Sequence, residues 1–454
     1  MSDNRKSAIS EVVSLTQSLV RIKSITGRER KLSYFVRDYL RTCGIETRID
    51  SFGNIIARIR GQNKKSPVIL LNTHMDTVSV SPDTWTVPPF SGDIYNDLLY
   101  GRGAVDAKGS LAAMLVAMKQ LTILKHPPSV LFTAVVNEEA KIWEKRKRGI
   151  LNIIAKDECR DVNAAIVGEA TSLNLGTGHR GRVLVDIELK GRQCHSSMPQ
   201  NGLNAASHFT HFFSYLDNRA KDLCGRNPKK AITISQCSPQ ENTRQLTLFP
   251  EIAPMPSANP CHLPKWPGTT FELVNWRSGK EANVIPDSCQ ALLECRYPAS
   301  ITSEKVIDFI NDSFAKYCSR RTALKALTMN IRSMDNSRKP FLTASHLPYA
   351  NLSVRRALSV LQKLNLQAKE YTNSFYTDAG FIADKLNIPV FVIGPGDESL
   401  AHSNNEHIKI IELEQSVQIY FELCRAMASI LGPTDHSDTI PKSPRAIMRQ
   451  LIIY

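Results

Sequence analysis

The sequence predicts an α/β fold, a mostly parallel sheet flanked by helices with a smaller α+β domain inserted into it. Three observations lead there. Apolar runs of strand character, VILLNTH, VLFTAVVN, AAIVGEA and PVFVIG, alternate with segments of helical period, the order of a parallel sheet covered on both faces. Each run leads directly to an acid or a histidine, and open α/β sheets collect ligands at the carboxyl ends of their strands. After Thr177 the runs give way to alternating apolar and polar residues, the mark of a sheet with one covered face.

In chain order, residues 9–21 place Ile9, Val12, Val13, Leu15, Leu19 and Val20 on the apolar side of an expected helix. A second helix, 30–43, stops at Gly44, and strands follow at 46–50 and 54–60 before the central run at 68–71. Leu111, Leu115 and Met118 recur at helical spacing within 108–124, a helix that covers the sheet. Pro127 and Pro128 end its connection to a strand at 129–136. Alternation at 183–190, 231–236, 270–274 and 291–296, with helices expected at 204–223 and 303–317, describes the insert. The Pro-rich stretch 238–268 has no period and reads as a surface excursion. The chain returns through a helix at 352–364, the TDAGFIA segment around Asp378, a last sheet strand at 389–393 and a closing helix at 412–431.

A chain of 454 residues exceeds one ordinary core and divides in two. The expected division is 1–177 with 298–431 as a discontinuous catalytic domain, 178–297 as the insert, and 432–454 as a loosely attached tail. No apolar run approaches the roughly 18 residues of a membrane span, and the polar amphipathic start has no signal-peptide core. A cytoplasmic protein with no membrane partner is expected. Ten cysteines without a C-x-x-C pair indicate neither a disulfide framework nor a zinc ribbon. The net charge of +14 raises the question of nucleic acid, but the basic residues are scattered apart from one run at Lys145, Arg146, Lys147 and Arg148, and no nucleic-acid module accompanies them. A positive field of this kind can instead draw in carboxylate substrates.

The chemistry concentrates between Val68 and Ser110. His74 and Asp76 form an H-M-D at the end of the central run, and an i, i+2 pair there can put the imidazole on a cation with the carboxylate behind it, fixing ring orientation. Asp106, in the loop GRGAVDAKGS with little bulk around it, is free to offer both oxygens, and a carboxylate that bridges suggests two cations. Glu138 and Glu139, Glu169 and His402 each follow a further apolar run.

The segments HMDTV, WTVPPFSGDI, LYGRGAVDAKG, NEEA, VGEAT, GRQCHSSMPQNGLNAA, EANVIPDS and GPGDESLAHSNNEHI, in that order, resemble the family of acetylornithine deacetylase, succinyl-diaminopimelate desuccinylase, aminoacylase and glutamate carboxypeptidase. The resemblance implies a dinuclear metallohydrolase domain with a lid that also dimerises. It maps the metal ligands onto His74, Asp106, Glu139, Glu169 and His402, with Asp106 bridging, His74 and Glu169 on one side and Glu139 and His402 on the other. Two such cations, about 3.5 to 4 Å apart, would polarise a carbonyl and lower the pKa of a shared water. Mixed imidazole and carboxylate donors suit zinc, with cobalt or manganese as other fits.

Adjacent side chains on an extended segment point apart, so Glu139 can bind metal while Glu138 faces the water as general base. Asp76 is expected behind His74. The resemblance sends His195 of GRQCHSSMP into the partner's site in a homodimer, where a donor stabilises the oxyanion. Asn283 and Arg296 are candidates to hold a substrate carboxylate, Arg296 by a bidentate pair. Cys194 has no work as a nucleophile beside an activated water, and His208 and His211, on an apolar helix, read as packing. One departure stands out: where the family continues its paired acids with a glycine-rich turn, Ala140 is followed by KIWEKRKRG. The expected activity is cleavage of the amide bond of an N-acyl amino acid in the manner of acetylornithine deacetylase, with a metallo-exopeptidase acting on short peptides as the alternative. A non-catalytic protein on a decayed scaffold would have lost a ligand or Glu138, and all are present.

Overall fold

A computed structural model of the chain describes residues 2–431 apart from 64–65, 82–83, 141–147, 224–267, 299, 321, 335–339, 343–349 and 374. The expected strand at 231–236, nearly all of the 238–268 excursion, most of the cationic loop and the 432–454 tail lie outside the described residues.

Four parallel strands form the centre of a nine-stranded sheet, in the spatial order Ser129–Val135, Val68–His74, Val162–Val167, Val390–Val392. Antiparallel pairs lie at both margins. On one side Ile55–Ile59 pairs with Ser129–Val135 and Glu46–Ile49 pairs with Ile55–Ile59. On the other, Leu175–His179 meets Val390–Val392 and also carries Phe341–Leu342. The central strands are largely apolar and almost wholly buried because both faces are covered. Ile69 and Leu71 point into one core, with the helices Ser2–Arg21, Gly109–Thr122 and Ile410–Leu431. Val68 and Leu70 point into the other, with Gly149–Ala155 and Ala379–Leu386. Burying each such side chain contributes about 1.5–3 kcal/mol, so the central strands are held from above and below.

The second sheet is antiparallel, ordered Thr270–Ser278, Ser288–Tyr297, Gly181–Lys190, Thr328–Ser333. Val183, Val185, Ile187 and Leu189 alternate into its core, as do Cys289, Ala291, Leu293 and Cys295. The helices Ala205–Leu223 and Ser303–Cys318 cover that face, the latter capped by Thr302, whose hydroxyl accepts from the Lys305 N–H.

The pairing shows which elements each sheet gathers. Leu175–His179 belongs to the large sheet, while Thr328–Ser333 pairs into the small one and Ser303–Cys318 packs on its core. Thr328–Ser333 is a short, mostly exposed edge strand whose alternate residues Met329 and Ile331 pack against the small core. A third, three-stranded sheet joins Leu98–Tyr100 to Ile94–Tyr95 and His407–Lys409, tying the approach to Asp106 to the segment after His402. Cys43, Cys159, Cys194, Cys289, Cys295, Cys318 and Cys424 are free thiols. Among the described residues no helix is long and apolar enough to cross a membrane.

Candidate metal centre

The four central strands deliver the candidate ligands side by side. His74 is the last residue of its strand, Glu169 lies two residues past Val162–Val167, and His402 follows Val390–Val392. Beyond Ser129–Val135, Asn137 takes a left-handed conformation at φ 59°, which asparagine tolerates better than most residues, and turns the chain into Glu138 and Glu139. Asp106 enters from a loop that requires Gly103: its φ is 88°, and a Cβ there would stand 2.8 Å from Thr77 Cγ2.

Asp106 divides its two oxygens between two groups. Oδ1 lies 2.8 Å from His74 Nε2, which is 3.6 Å from Glu169 Oε2. Oδ2 lies 3.0 Å from His402 Nε2, which is 2.6 Å from Glu139 Oε1. One donor atom each of His74, Asp106 and Glu139 falls within 4.8 Å of the others. The His402 imidazole is 50% exposed and marks the solvent side, whereas His74 and Glu169 are buried.

The electrostatics fit divalent cations. Burial pushes Glu139 up to about 8, with Asp106 adding to the rise. Burial likewise pushes Glu169 to about 8 against the pull of His74. Burial alone would raise Asp106 too, but hydrogen bonds to His402 and His74 overcome it and hold the carboxyl below its ordinary value. His402 rises to about 11 through hydrogen bonds to Asp106 and Glu139. Carboxylates gathered out of water, with imidazoles as the nearest cationic partners, are what a bound divalent ion would relieve. The donor set of nitrogen and oxygen suits zinc, cobalt or manganese.

The two acids after Asn137 diverge. Glu139 faces His402, and Glu138, buried, faces Arg148, whose Nη1 donates to Glu138 Oε1 at 2.9 Å. Asp76 lies on the Nδ1 side of the His74 ring, with more than one contact to make. The His74 Nδ1 contact at 2.9 Å is to the Asp76 main-chain oxygen, with the carboxylate at 3.6 Å. Its carboxylate instead accepts the backbone N–H groups of Glu138 at 3.0 Å and Glu139 at 2.8 Å, and the Thr26 hydroxyl at 3.0 Å. Asp76 thus fixes the segment that bears both acids.

The remaining candidates stand in other groups. His195 and Asn283 share a two-stranded ribbon, where His195 pairs with Val284 and the Ser196 N–H donates to the Asn283 main-chain oxygen at 2.9 Å. His195 is exposed, its Nδ1 2.7 Å from the Ser197 hydroxyl. Arg296 lies on the insert's sheet, where its Nε donates to Glu294 at 2.7 Å and Arg182 binds the same carboxylate at 2.8 Å. The Arg296 guanidinium is thus engaged at Nε by Glu294. His208 contacts the Tyr317 hydroxyl at 3.1 Å, in keeping with packing.

Sequence reasoning missed Glu406. Fully buried, it accepts from Arg102 Nη1 at 2.7 Å and from the N–H groups of Gly103 at 3.1 Å, Val105 at 2.8 Å and Asp106 at 3.1 Å. Burial pushes its carboxyl up while Arg102 pulls the other way, and the short ion pair is the geometry that carries the interaction. The loop holding Asp106 is thereby built on a residue about 300 positions away. The only sequence signal was its place in NNEH, four residues after His402.

Two imidazoles and three carboxylates gathered beside the carboxyl ends of parallel strands form the donor set of a metallohydrolase. The profile of "Peptidase family M20/M25/M40" matches residues 70–426, and the chain belongs to that family. It is 27% identical over 422 residues to a succinyl-diaminopimelate desuccinylase of Pseudoalteromonas atlantica, covering 90% of this chain and 97% of the relative. It is 25% identical over 441 residues to a probable succinyl-diaminopimelate desuccinylase of Staphylococcus epidermidis, covering 91% and 97%. In fold it is similar to an M20 family metallo-carboxypeptidase of Sulfolobus solfataricus, with a TM-score of 0.67 at 18% identity over 92% of this chain and 99% of that one. It is also similar to human carnosine dipeptidase 1, with a TM-score of 0.66 at 15% identity over 94% and 98%. A dinuclear metal-binding M20 peptidase of Bacillus subtilis aligns with a TM-score of 0.64 at 14% identity over 94% and 99%.

Proposed function

We propose that this M20-family hydrolase removes the acyl group from an N-acyl amino acid, with two divalent cations, zinc foremost, held by His74, Asp106, Glu139, Glu169 and His402. The observation that carries the reading is the division of Asp106, one oxygen toward His74 and Glu169, the other toward Glu139 and His402. When bound, such ions polarise the scissile carbonyl and make a water acidic enough to attack near neutral pH. Glu138 takes that water's proton and returns it to the leaving nitrogen, while Asp76, through the backbone of Glu138 and Glu139, keeps the two acids facing apart. His195 of a second subunit supplies a hydrogen bond to the oxyanion, and Asn283 and Arg296 hold the substrate's carboxylate.

The acetylornithine deacetylase-like substrate is one form of this reading. An N-succinyl amino acid is another, supported by relatives named as succinyl-diaminopimelate desuccinylases that the chain matches along nearly their whole length. A metallo-exopeptidase uses the same machinery on a short peptide. A panel of N-acetylornithine, N-succinyl-diaminopimelate, N-acyl-methionine and dipeptides, assayed with zinc-reconstituted protein, separates them. Turnover confined to dipeptides refutes the deacylase reading, and turnover of an N-acyl amino acid without dipeptide cleavage supports it.

A further inference from the structure

The two acids of the candidate site project from a turn whose three consecutive N–H groups all end on carboxylates. Those of Glu138 and Glu139 donate to Asp76, and that of Asn137 donates to Glu29 Oε1 at 3.3 Å. Successive N–H groups around a left-handed residue, here Asn137, form a concave donor surface that negative charge fills.

Glu29 reaches this turn from a separate stretch, the link 22–29 between the helices Ser2–Arg21 and Arg30–Thr42. The link is laid along the chain that leaves the central strand. The Thr77 N–H donates to the Ser24 main-chain oxygen at 3.0 Å, the Thr26 N–H to the Thr77 main-chain oxygen at 3.1 Å, and the Ser24 hydroxyl to the Met75 main-chain oxygen at 2.8 Å. The Thr26 hydroxyl donates to Asp76 itself. Gly27 then turns at φ 83°, and its N–H donates to Glu29 Oε1 at 2.8 Å, so one oxygen gathers the Gly27 and Asn137 donors. Glu29 is 5% exposed. Burial pushes its carboxyl up, the Gly27 N–H draws it down, and the charge of Asp76 pushes it up again. Two buried acids near one another repel, and hydrogen bonds from fixed donors are what offset that cost. The turn itself supplies one of those donors.

We infer that Glu29 is a positioning residue for the metal centre: together with Asp76 it holds the N–H groups of Asn137, Glu138 and Glu139, and so sets the turn from which both acids project. The inference rests on the reading of Glu139 as a metal ligand and Glu138 as the base.

The test compares E29M, which removes the acceptor, with E29Q, which keeps an oxygen for the two N–H groups. Loss of a residue that orients metal ligands typically costs about 10- to 100-fold in metal affinity or activity. E29M should therefore hold at least one zinc ion roughly 10- to 100-fold less tightly, with kcat down by a similar factor and KM within about threefold, and E29Q should recover most of both losses. Amide hydrogen exchange in the metal-free proteins should quicken at 137–139 in E29M and stay as in wild type along Gly181–Lys190, a pattern that a general loss of stability would not give. Wild-type metal affinity in E29M, unchanged exchange at 137–139, exchange quickened equally in both places, a change in KM alone, or an E29Q as impaired as E29M each overturns the role. If E29M does not fold, E29D, which withdraws the oxygen by one methylene and keeps the charge, carries the test, and wild-type metal affinity there overturns it. Two ions retained by E139A, or full turnover in E138Q, instead overturns the assignment of the turn's acids, an outcome distinct from failure of Glu29 alone.

Discussion

Replacing Glu406 by glutamine changes one atom and should unsettle the whole Asp106 loop. The carboxylate now meets four donors, Arg102 Nη1 and three backbone N–H groups, all between 2.7 and 3.1 Å. A glutamine can turn its oxygen toward Val105 and Asp106, but its NH₂ then faces Arg102 and the Gly103 N–H, donor against donor. Arg102 is 3% exposed and, among the described residues, would keep only the His402 carbonyl at 3.2 Å and the face of Trp85, 5.2 Å from its guanidinium carbon. Removing one partner of a buried ion pair costs about 3–5 kcal/mol, chiefly because the other charge is left stranded. At 1.4 kcal/mol per tenfold, the folding equilibrium should shift by roughly two to three and a half powers of ten. Equilibrium urea unfolding of metal-loaded wild type, E406Q, R102M and the double variant measures this. The double variant should recover part of the loss, since it strands no charge. A loss below about 1 kcal/mol in E406Q, the range of an ordinary surface change, or a double variant as unstable as the sum of the two singles, would refute the reasoning.

Asp106→Ala should lower bound metal from two ions per chain and abolish most activity, measured by elemental analysis beside turnover; two ions retained at full activity would rule out a bridging Asp106. Chelation of the wild type should likewise remove activity, with zinc restoring it. Mixing His195→Ala with Glu138→Gln subunits should recover activity that neither homodimer has, because one composite site then joins a sound base to a sound partner histidine; a confirmed heterodimer no more active than its parents excludes the role in trans. Burial pulls the His179 imidazole down from 6.5 to about 4, so the folded chain resists a proton that the unfolded chain accepts. The stability this neutral ring supports is complete above about pH 6.5 and is lost as pH falls toward 4. His179→Phe, which keeps a ring beside Phe341 and Tyr376, should flatten the fall in that window by up to about 1.4 kcal/mol per pH unit, and parallel urea-unfolding curves for the two proteins would contradict it.

What the sequence by itself determined is whatever depends on near neighbours. The runs at Val68 and Ser129 are apolar at consecutive positions because both faces of their strands are covered, and Val183 to Leu189 alternate because one face is; these periods are local and legible. His74, Glu138, Glu139 and Glu169 were legible for the same reason, each following its own strand closely, and Asp106 stood out in its glycine-flanked loop. Tertiary structure alone decided the contacts that fix those groups. Asp76 turned out to hold the backbone of Glu138 and Glu139, 62 and 63 residues away, because the parallel pairing of Val68–His74 with Ser129–Val135 brings the two strand ends level. Arg102 and Glu406 meet across 304 positions, and Arg148 reaches Asp378 across the start of a helix far along the chain. Met329 and Ile331 alternate with polar neighbours in Thr328–Ser333, but that this strand joins the small sheet beside Gly181–Lys190, across about 140 residues, was decided by the pairing itself. A buried charge needs a partner wherever the chain supplies one, and its own neighbours in sequence carry no mark of which residue that will be.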